Sequence, residues 1–283
     1  MASVPTVRHQ QTYKKKRHYT VGILTIPHSF STKYGSSHIM KAYADGLEKH
    51  GVTVVPVPYN TPHPDLYYSI LNGLIIPGGE TTFLLKQPEL LQTVQRFISL
   101  SLRTGEYFPI WGTCFGFELL MSLIGSMNRF EPIVDHQRRS IEWTDEGKRS
   151  RMYRWLSKKN ADAFEEYART AQNHEYGISP IRFLRNDHLR RFFRLVATAR
   201  NDAGETYVAA IEAKKWPIYG VMWHPERQTN GHLFLSFFLS ECKKNNHQCP
   251  IRLKTLRDTH IPHRCVQYSE HNHRMCYFFS SDF

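Results

Sequence analysis

Between Thr20 and Trp111, short apolar runs alternate with helix-patterned segments, and this alternation constrains the fold more than any other feature of the chain. Thr20–Ile26, Val52–Val57, Leu71–Pro77 and Phe108–Trp111 read as strands. Ser37–His50 reads as a helix closed by Gly51, and Glu89–Leu102 as a second helix. The strands are nearly continuous in apolar residues instead of alternating with polar ones. That is the signature of strands buried on both faces, so the expected class is α/β: an open, mostly parallel sheet with helices on both faces.

Farther along, regularity weakens and then returns. Residues 129–170 are charged and lack clean periodicity, which leaves room for one helix near Ala161–Arg169. Tyr207–Glu212 and Ile218–Trp223 read as further strands and Gly231–Lys244 as a closing helix. The expected organisation is a basic arm over 1–18, a catalytic domain over 19–246, and a tail over 247–283 packed on that domain.

Charge and cysteine usage narrow the class. The net charge is +12, yet no acidic residue precedes Asp45, while Arg8, Lys14, Lys15, Lys16, Arg17, Lys33 and Lys41 do. No stacking platform or DNA-binding motif accompanies these cations, so the arm is expected to be solvated, with no nucleic-acid partner. No apolar run reaches the roughly 20 residues that span a bilayer. Val21–Pro27 is too short for a signal core and lacks a small-residue cleavage site, so it reads as a first strand. Cys114 stands alone, whereas Cys242, Cys249, Cys265 and Cys276 cluster near the end with His247, His260, His263, His271 and His273. Their spacing lacks a paired metal module. No metal is expected there, and the tail has room for one disulfide.

The chemistry is carried by strand ends. Gly112-Thr113-Cys114-Phe115-Gly116 follows a strand and precedes the apolar helical run Phe117–Ile124, the context of a nucleophile elbow with cysteine in place of serine. A sharp turn needs small flanking residues, and the following helix N-terminus stabilises a thiolate and offers the Phe115 N–H to an oxyanion. Trp223-His224-Pro225-Glu226 follows another strand. His224 can serve as base and Glu226 can turn back to orient it. A strand-end histidine alone is usually an ordinary surface residue; beside the elbow it completes a Cys–His–Glu set. Pro77-Gly78-Gly79-Glu80 ends the third strand, and its glycine N–H groups can complete an oxyanion hole, although Pro-Gly-Gly is more often a plain turn.

In their order, Pro77–Gly79, Phe108–Glu118 and Tyr219–Glu226 resemble the class I glutamine amidotransferase-like superfamily, a flavodoxin-like fold. The Trp111-Gly112-Thr113-Cys114-Phe115-Gly116-Phe117-Glu118 string resembles the gamma-glutamyl hydrolases within it, over about Thr20 to His247, and Cys276-Tyr277-Phe278 resembles their C-terminal end. The resemblance implies hydrolysis of γ-glutamyl amides of folate poly-γ-glutamates through a thioester, with Cys114 as nucleophile, His224 as base, Glu226 as orienting acid and no cofactor. It further implies that Tyr34, His174 and Glu118 line or support the site. Residues 129–170 match little of the family. Two rival readings remain: a glutaminase partnered with a synthase, and a non-catalytic binding protein on the same fold. The sequence leaves a homodimer open and assigns no compartment. The family is usually secreted, lysosomal or vacuolar, and the lack of a signal core fits a cytoplasmic protein.

Overall fold

The computed structural model describes residues 17–28, 33–159, 169–227, 232–264 and 275–280. Its centre is an eight-stranded sheet. β1 (Thr20–Leu24) lies parallel to β4 (Thr53–Val57) on one side and to β5 (Leu74–Ile76) on the other. β6 (Ile110–Thr113) and β12 (Ile218–Val221) extend the parallel run. β11 (Thr206–Ala213), β10 (Phe193–Arg200) and β8 (Glu142–Trp143) then close the sheet antiparallel, giving the order β4-β1-β5-β6-β12-β11-β10-β8.

Helices cover both faces, as β12 shows directly. Successive strand residues point to opposite faces. The open side of Gly220 meets Phe117 of α5 (Phe115–Gly125). Tyr219 instead packs its ring 5.0 Å from Phe237 of the helix His232–Cys242. α4 (Pro88–Arg103) turns Leu90, Val94, Phe97 and Ile98 inward, one stripe at helical spacing. The expected α/β class is thus the observed one.

Several element readings differ in detail. Ser37–Met40, expected as the first turn of a helix, is strand β3, and α1 begins only at Lys41 (Lys41–Glu48). β3 belongs to a second, antiparallel sheet with β2 (Ile26–Pro27), β13 (His263–Arg264) and β14 (Met275–Phe279), in the order β13-β14-β3-β2. The strand β14 that holds it extended is supplied by the far end of the chain, with Phe278 opposite His38, so tertiary pairing overrides local preference. The 129–170 region is more regular than expected. It contributes β7 (Arg138–Ser140), β8, the helix Arg151–Lys159 and the start of β9 (Arg169–Ala171), which pairs with β7. Most of the helix expected near Ala161–Arg169 lies outside the described residues, and Arg169 is already strand. β10 and the helices Pro64–Ile70, Pro180–Arg185 and Asp187–Phe192 were not expected. The last two carry caps legible in sequence: Ser179 accepts from the Arg182 N–H, and Asn186 from the Leu189 N–H. Cys114, Cys242 and Cys249 are free thiols, and Cys265 lies outside the described residues.

Candidate active site

The parallel strands β5, β6 and β12 end side by side, and their following turns deliver the chemistry. Cys114 begins α5 at φ 51° and ψ −108°, a conformation that costs roughly 1–3 kcal/mol for a residue with a side chain. Neighbouring backbone enforces it. A Cβ on Gly116 would lie 2.2 Å from the Ile76 carbonyl oxygen, and one on Gly112 would lie 2.5 Å from the Gly116 carbonyl carbon. The Cys114 N–H donates to the Val221 carbonyl at 2.9 Å, so the elbow is tied to β12.

β12 leads into His224, which is 2% exposed. The turn Pro225–Arg227 folds Glu226 back, and Glu226 Oε1 stands 2.7 Å from His224 Nδ1. The His224 N–H donates to the Ala171 carbonyl, which fixes the strand end to β9. Gly78 places the two motifs against each other. A Cβ built there would lie 2.8 Å from His224 Cε1 and 3.3 Å from Cys114 Cβ, so imidazole and thiol flank a single point that only glycine leaves open.

Electrostatics assigns protonation states. Burial pushes the Cys114 thiol far above its ordinary range. Glu118 adds to that shift, while Arg227 and the Phe115 N–H oppose it. Burial also raises Glu118 to about 8, against a lowering hydrogen bond from Thr81 Oγ1 to its Oε2. At neutral pH Glu118 is therefore mostly a neutral acid, and its repulsion of a thiolate is muted. Burial opposes ionisation of Glu226 too, but the charge and hydrogen bond of His224, with Arg227 Nε at 3.4 Å, overcome it and leave its pKa lowered. His174 is driven by burial to about 4, although its Nδ1–H donates to the Ile133 carbonyl at 2.9 Å. It is neutral near pH 7, and its Nε2 has no partner among the described residues.

A cleft of about 360 Å³ opens over the thiol, lined among others by Gly79, Glu80, Thr81, Asn173, His174 and Tyr176. The structure thus gathers Cys114, His224, Glu226, Gly78, Gly79, Phe115, His174 and Glu118 around the end of β6. Tyr34 stands apart. It stacks on His263 at 3.8 Å and lies by Phe278, in the sheet that holds the tail, and is not among the cleft-lining residues. Gly78 also carries an unforeseen contact: its N–H donates to the buried Tyr43 hydroxyl at 3.2 Å. The Gly79 N–H, by contrast, has no partner among the described residues. The Asn173 carbonyl, which accepts from Cys114 Sγ at 3.7 Å, was missed as well, since any residue type supplies a carbonyl. Arg227 was within reach, because it directly follows the His-Pro-Glu string. Among the described residues no cluster of His, Cys, Asp and Glu is arranged to hold a metal ion.

Comparison with known proteins places this geometry. The glutamine amidotransferase class-I family model matches residues 35–240. Gamma-glutamyl hydrolase B of Dictyostelium discoideum is 29% identical over 255 residues, spanning 81% of this chain and 73% of that protein. Gamma-glutamyl hydrolase of Rattus norvegicus is 29% identical over 240 residues, spanning 76% and 74%. The glutaminase domain of Trypanosoma brucei CTPS, solved with acivicin bound, shares the fold at a TM-score of 0.55 and 13% identity, over 82% of this chain and 97% of that one.

Proposed function

This chain belongs to the class I glutamine amidotransferase family, and from that membership we propose that it is a gamma-glutamyl hydrolase that cleaves folate poly-γ-glutamates through a Cys114 thioester. Likeness to the gamma-glutamyl hydrolases over most of the chain supports hydrolysis of γ-glutamyl bonds. The observation that carries the mechanism is the strained Cys114 elbow facing, across Gly78, a histidine whose Nδ1 is held at 2.7 Å by a buried carboxylate.

The steps follow from the protonation states. Cys114 rests as a thiol. Glu226 accepts from His224 Nδ1–H, which leaves Nε2 as the basic nitrogen. As sulfur attacks the γ-carbonyl carbon, its proton passes to His224 Nε2. The oxyanion accepts from the N–H groups of Phe115 and Gly79, and from Gly78 once its Tyr43 contact is exchanged. His224 then protonates the leaving amine as the C–N bond breaks. The same histidine takes a proton from water, which attacks the thioester carbon; as the C–S bond breaks, the carboxylate product leaves and His224 returns the proton to the Cys114 sulfur. Neutral Glu118 keeps a negative charge away from the sulfur. The chemistry uses no metal or organic group.

The test is incubation with a folate poly-γ-glutamate, chromatography of the products, and a parallel incubation with glutamine. Shortened folates with little ammonia from glutamine support the reading. Ammonia release with intact folate chains means a glutaminase. No turnover of either means a binding protein.

A further inference from the structure

The cleft over Cys114 does not end at its own walls. Thr81, Thr82 and Tyr176 also form the rim of a second hollow of about 340 Å³, whose other lining residues are Leu85, Lys86, Asn128, Arg129 and Phe130. The two hollows have opposite charge character. Near the thiol, Glu80 and Glu175 line the wall; Glu80 accepts from Thr82 at 3.1 Å and Glu175 pairs with His136 at 3.0 Å. The second hollow contains two cations and no acid. Lys86 and Arg129 are exposed and have no carboxylate partner among the described residues. Exposed arginines such as Arg190 and Arg257 are, by contrast, already paired, with Asp187 at 2.6 Å and Glu48 at 3.0 Å. The Arg129 segment is also braced, since Arg182 Nη2 donates to the Arg129 carbonyl at 2.7 Å.

Resting on the reading above, we propose that this second hollow is a subsite for the substrate chain, in which Lys86 and Arg129 receive α-carboxylates of glutamyl residues beyond the scissile bond. A poly-γ-glutamate carries one carboxylate per residue. A chain that leaves the thiol past Thr81 and Tyr176 meets the two cations next, with the Asn128 amide as a further donor. The short helix Thr81–Leu84 forms the shared wall, and so the chain is read by charge away from the reacting bond.

The test compares the intact protein with Lys86→Gln/Arg129→Gln on a long poly-γ-glutamate and on a γ-glutamyl anilide with a single γ-bond. The expected result is that the ratio of long-chain to anilide kcat/KM falls about tenfold in the variant, the size of two exposed ion pairs lost together. Wild-type KM for the long chain should rise with salt toward the variant's value, since screening shortens to about 3 Å near 1 M. An unchanged ratio, or an equal loss on both substrates, overturns the subsite. Binding of a fluorescent poly-γ-glutamate to Cys114→Ala, with and without the two substitutions, reads the same contacts without turnover. If the wild type cleaves no γ-glutamyl bond, the proposed function fails. A tenfold weaker complex would still support the groove, and an unweakened one would remove it.

Discussion

Gly78→Ala, set beside Gly220→Ala, separates the site's geometry from the fold's stability. Gly78 is not among the residues with positive φ, so its backbone accommodates alanine. The methyl would sit 2.8 Å from His224 Cε1, where carbon atoms pack best at about 3.5–4.0 Å. The imidazole must move by about 0.7 Å or more, and it cannot do so freely. Its Nδ1 is held by Glu226 at 2.7 Å, the His224 backbone N–H donates to the Ala171 carbonyl at 2.9 Å, and the residue is 2% exposed. A misplacement near 1 Å costs about 10²-fold in rate, or about 2.7 kcal/mol of barrier. Gly220→Ala is the comparison. Its methyl would meet Phe117 Cδ2 at 2.9 Å and Ile211 Cγ1 at 3.1 Å, inside the core beneath the sheet. Overpacking there costs about 1–3 kcal/mol of stability. Kinetics with a γ-glutamyl substrate and thermal unfolding should therefore dissociate. Gly78→Ala should lose kcat about 100-fold, whereas Gly220→Ala, at a similar or larger loss of Tm, should keep most of its kcat. Wild-type kcat in Gly78→Ala would refute the claim that imidazole and thiol are apposed across this residue.

Other outcomes follow from the same geometry. His224→Ala should lose about 10³-fold or more in kcat, because base and acid vanish together, and Glu226→Ala should lose less; activity equal to wild type in both would dissolve the triad. Tyr43→Phe removes the hydroxyl that accepts from Gly78 N–H. That frees the N–H for the oxyanion, so kcat should hold or rise with KM nearly unchanged, and a several-fold fall in kcat would argue against Gly78 as an oxyanion donor. Glu118 carries the pH prediction. Its pKa is raised from 4.5 to about 8, so the folded state binds its proton more tightly than the unfolded chain. That contribution is full below about pH 4.5 and is lost as pH rises through about 8. Thermal midpoints of wild type should fall over this window relative to Glu118→Gln, and parallel curves would contradict a buried neutral acid.

What the sequence disclosed and what it hid divide along physical lines. β1, β5 and β6 were legible because strands buried on both faces must be apolar throughout, β4 because its run is β-branched, and Cys114 and His224 because their motifs sit where β6 and β12 end. Glu226 was legible from its spacing, two residues beyond the base. β3 was read as helix because its partner, Met275–Phe279, enters from the opposite end of the chain. The 129–170 segment looked irregular because its short strands pair at the main sheet's margin (β8) or in a separate two-stranded sheet with β9 (β7), where charged residues such as Arg138 remain exposed. Asn173 and Tyr43 were invisible for another reason. A backbone carbonyl has no side-chain signature, and a buried tyrosine in an amphipathic helix looks like any core aromatic until its hydroxyl is seen to accept from Gly78.

The most direct measurement of the central claim is capture of the covalent intermediate. Wild-type protein is mixed with a γ-glutamyl substrate, quenched in acid within the first turnovers, and analysed by intact mass and peptide mapping. The account predicts a γ-glutamyl adduct on the peptide that carries Cys114 and on no other cysteine peptide, absent from Cys114→Ala, which should also form no product. Product formation by Cys114→Ala at a rate near wild type, or an adduct on Cys242, Cys249, Cys265 or Cys276 instead, would contradict it.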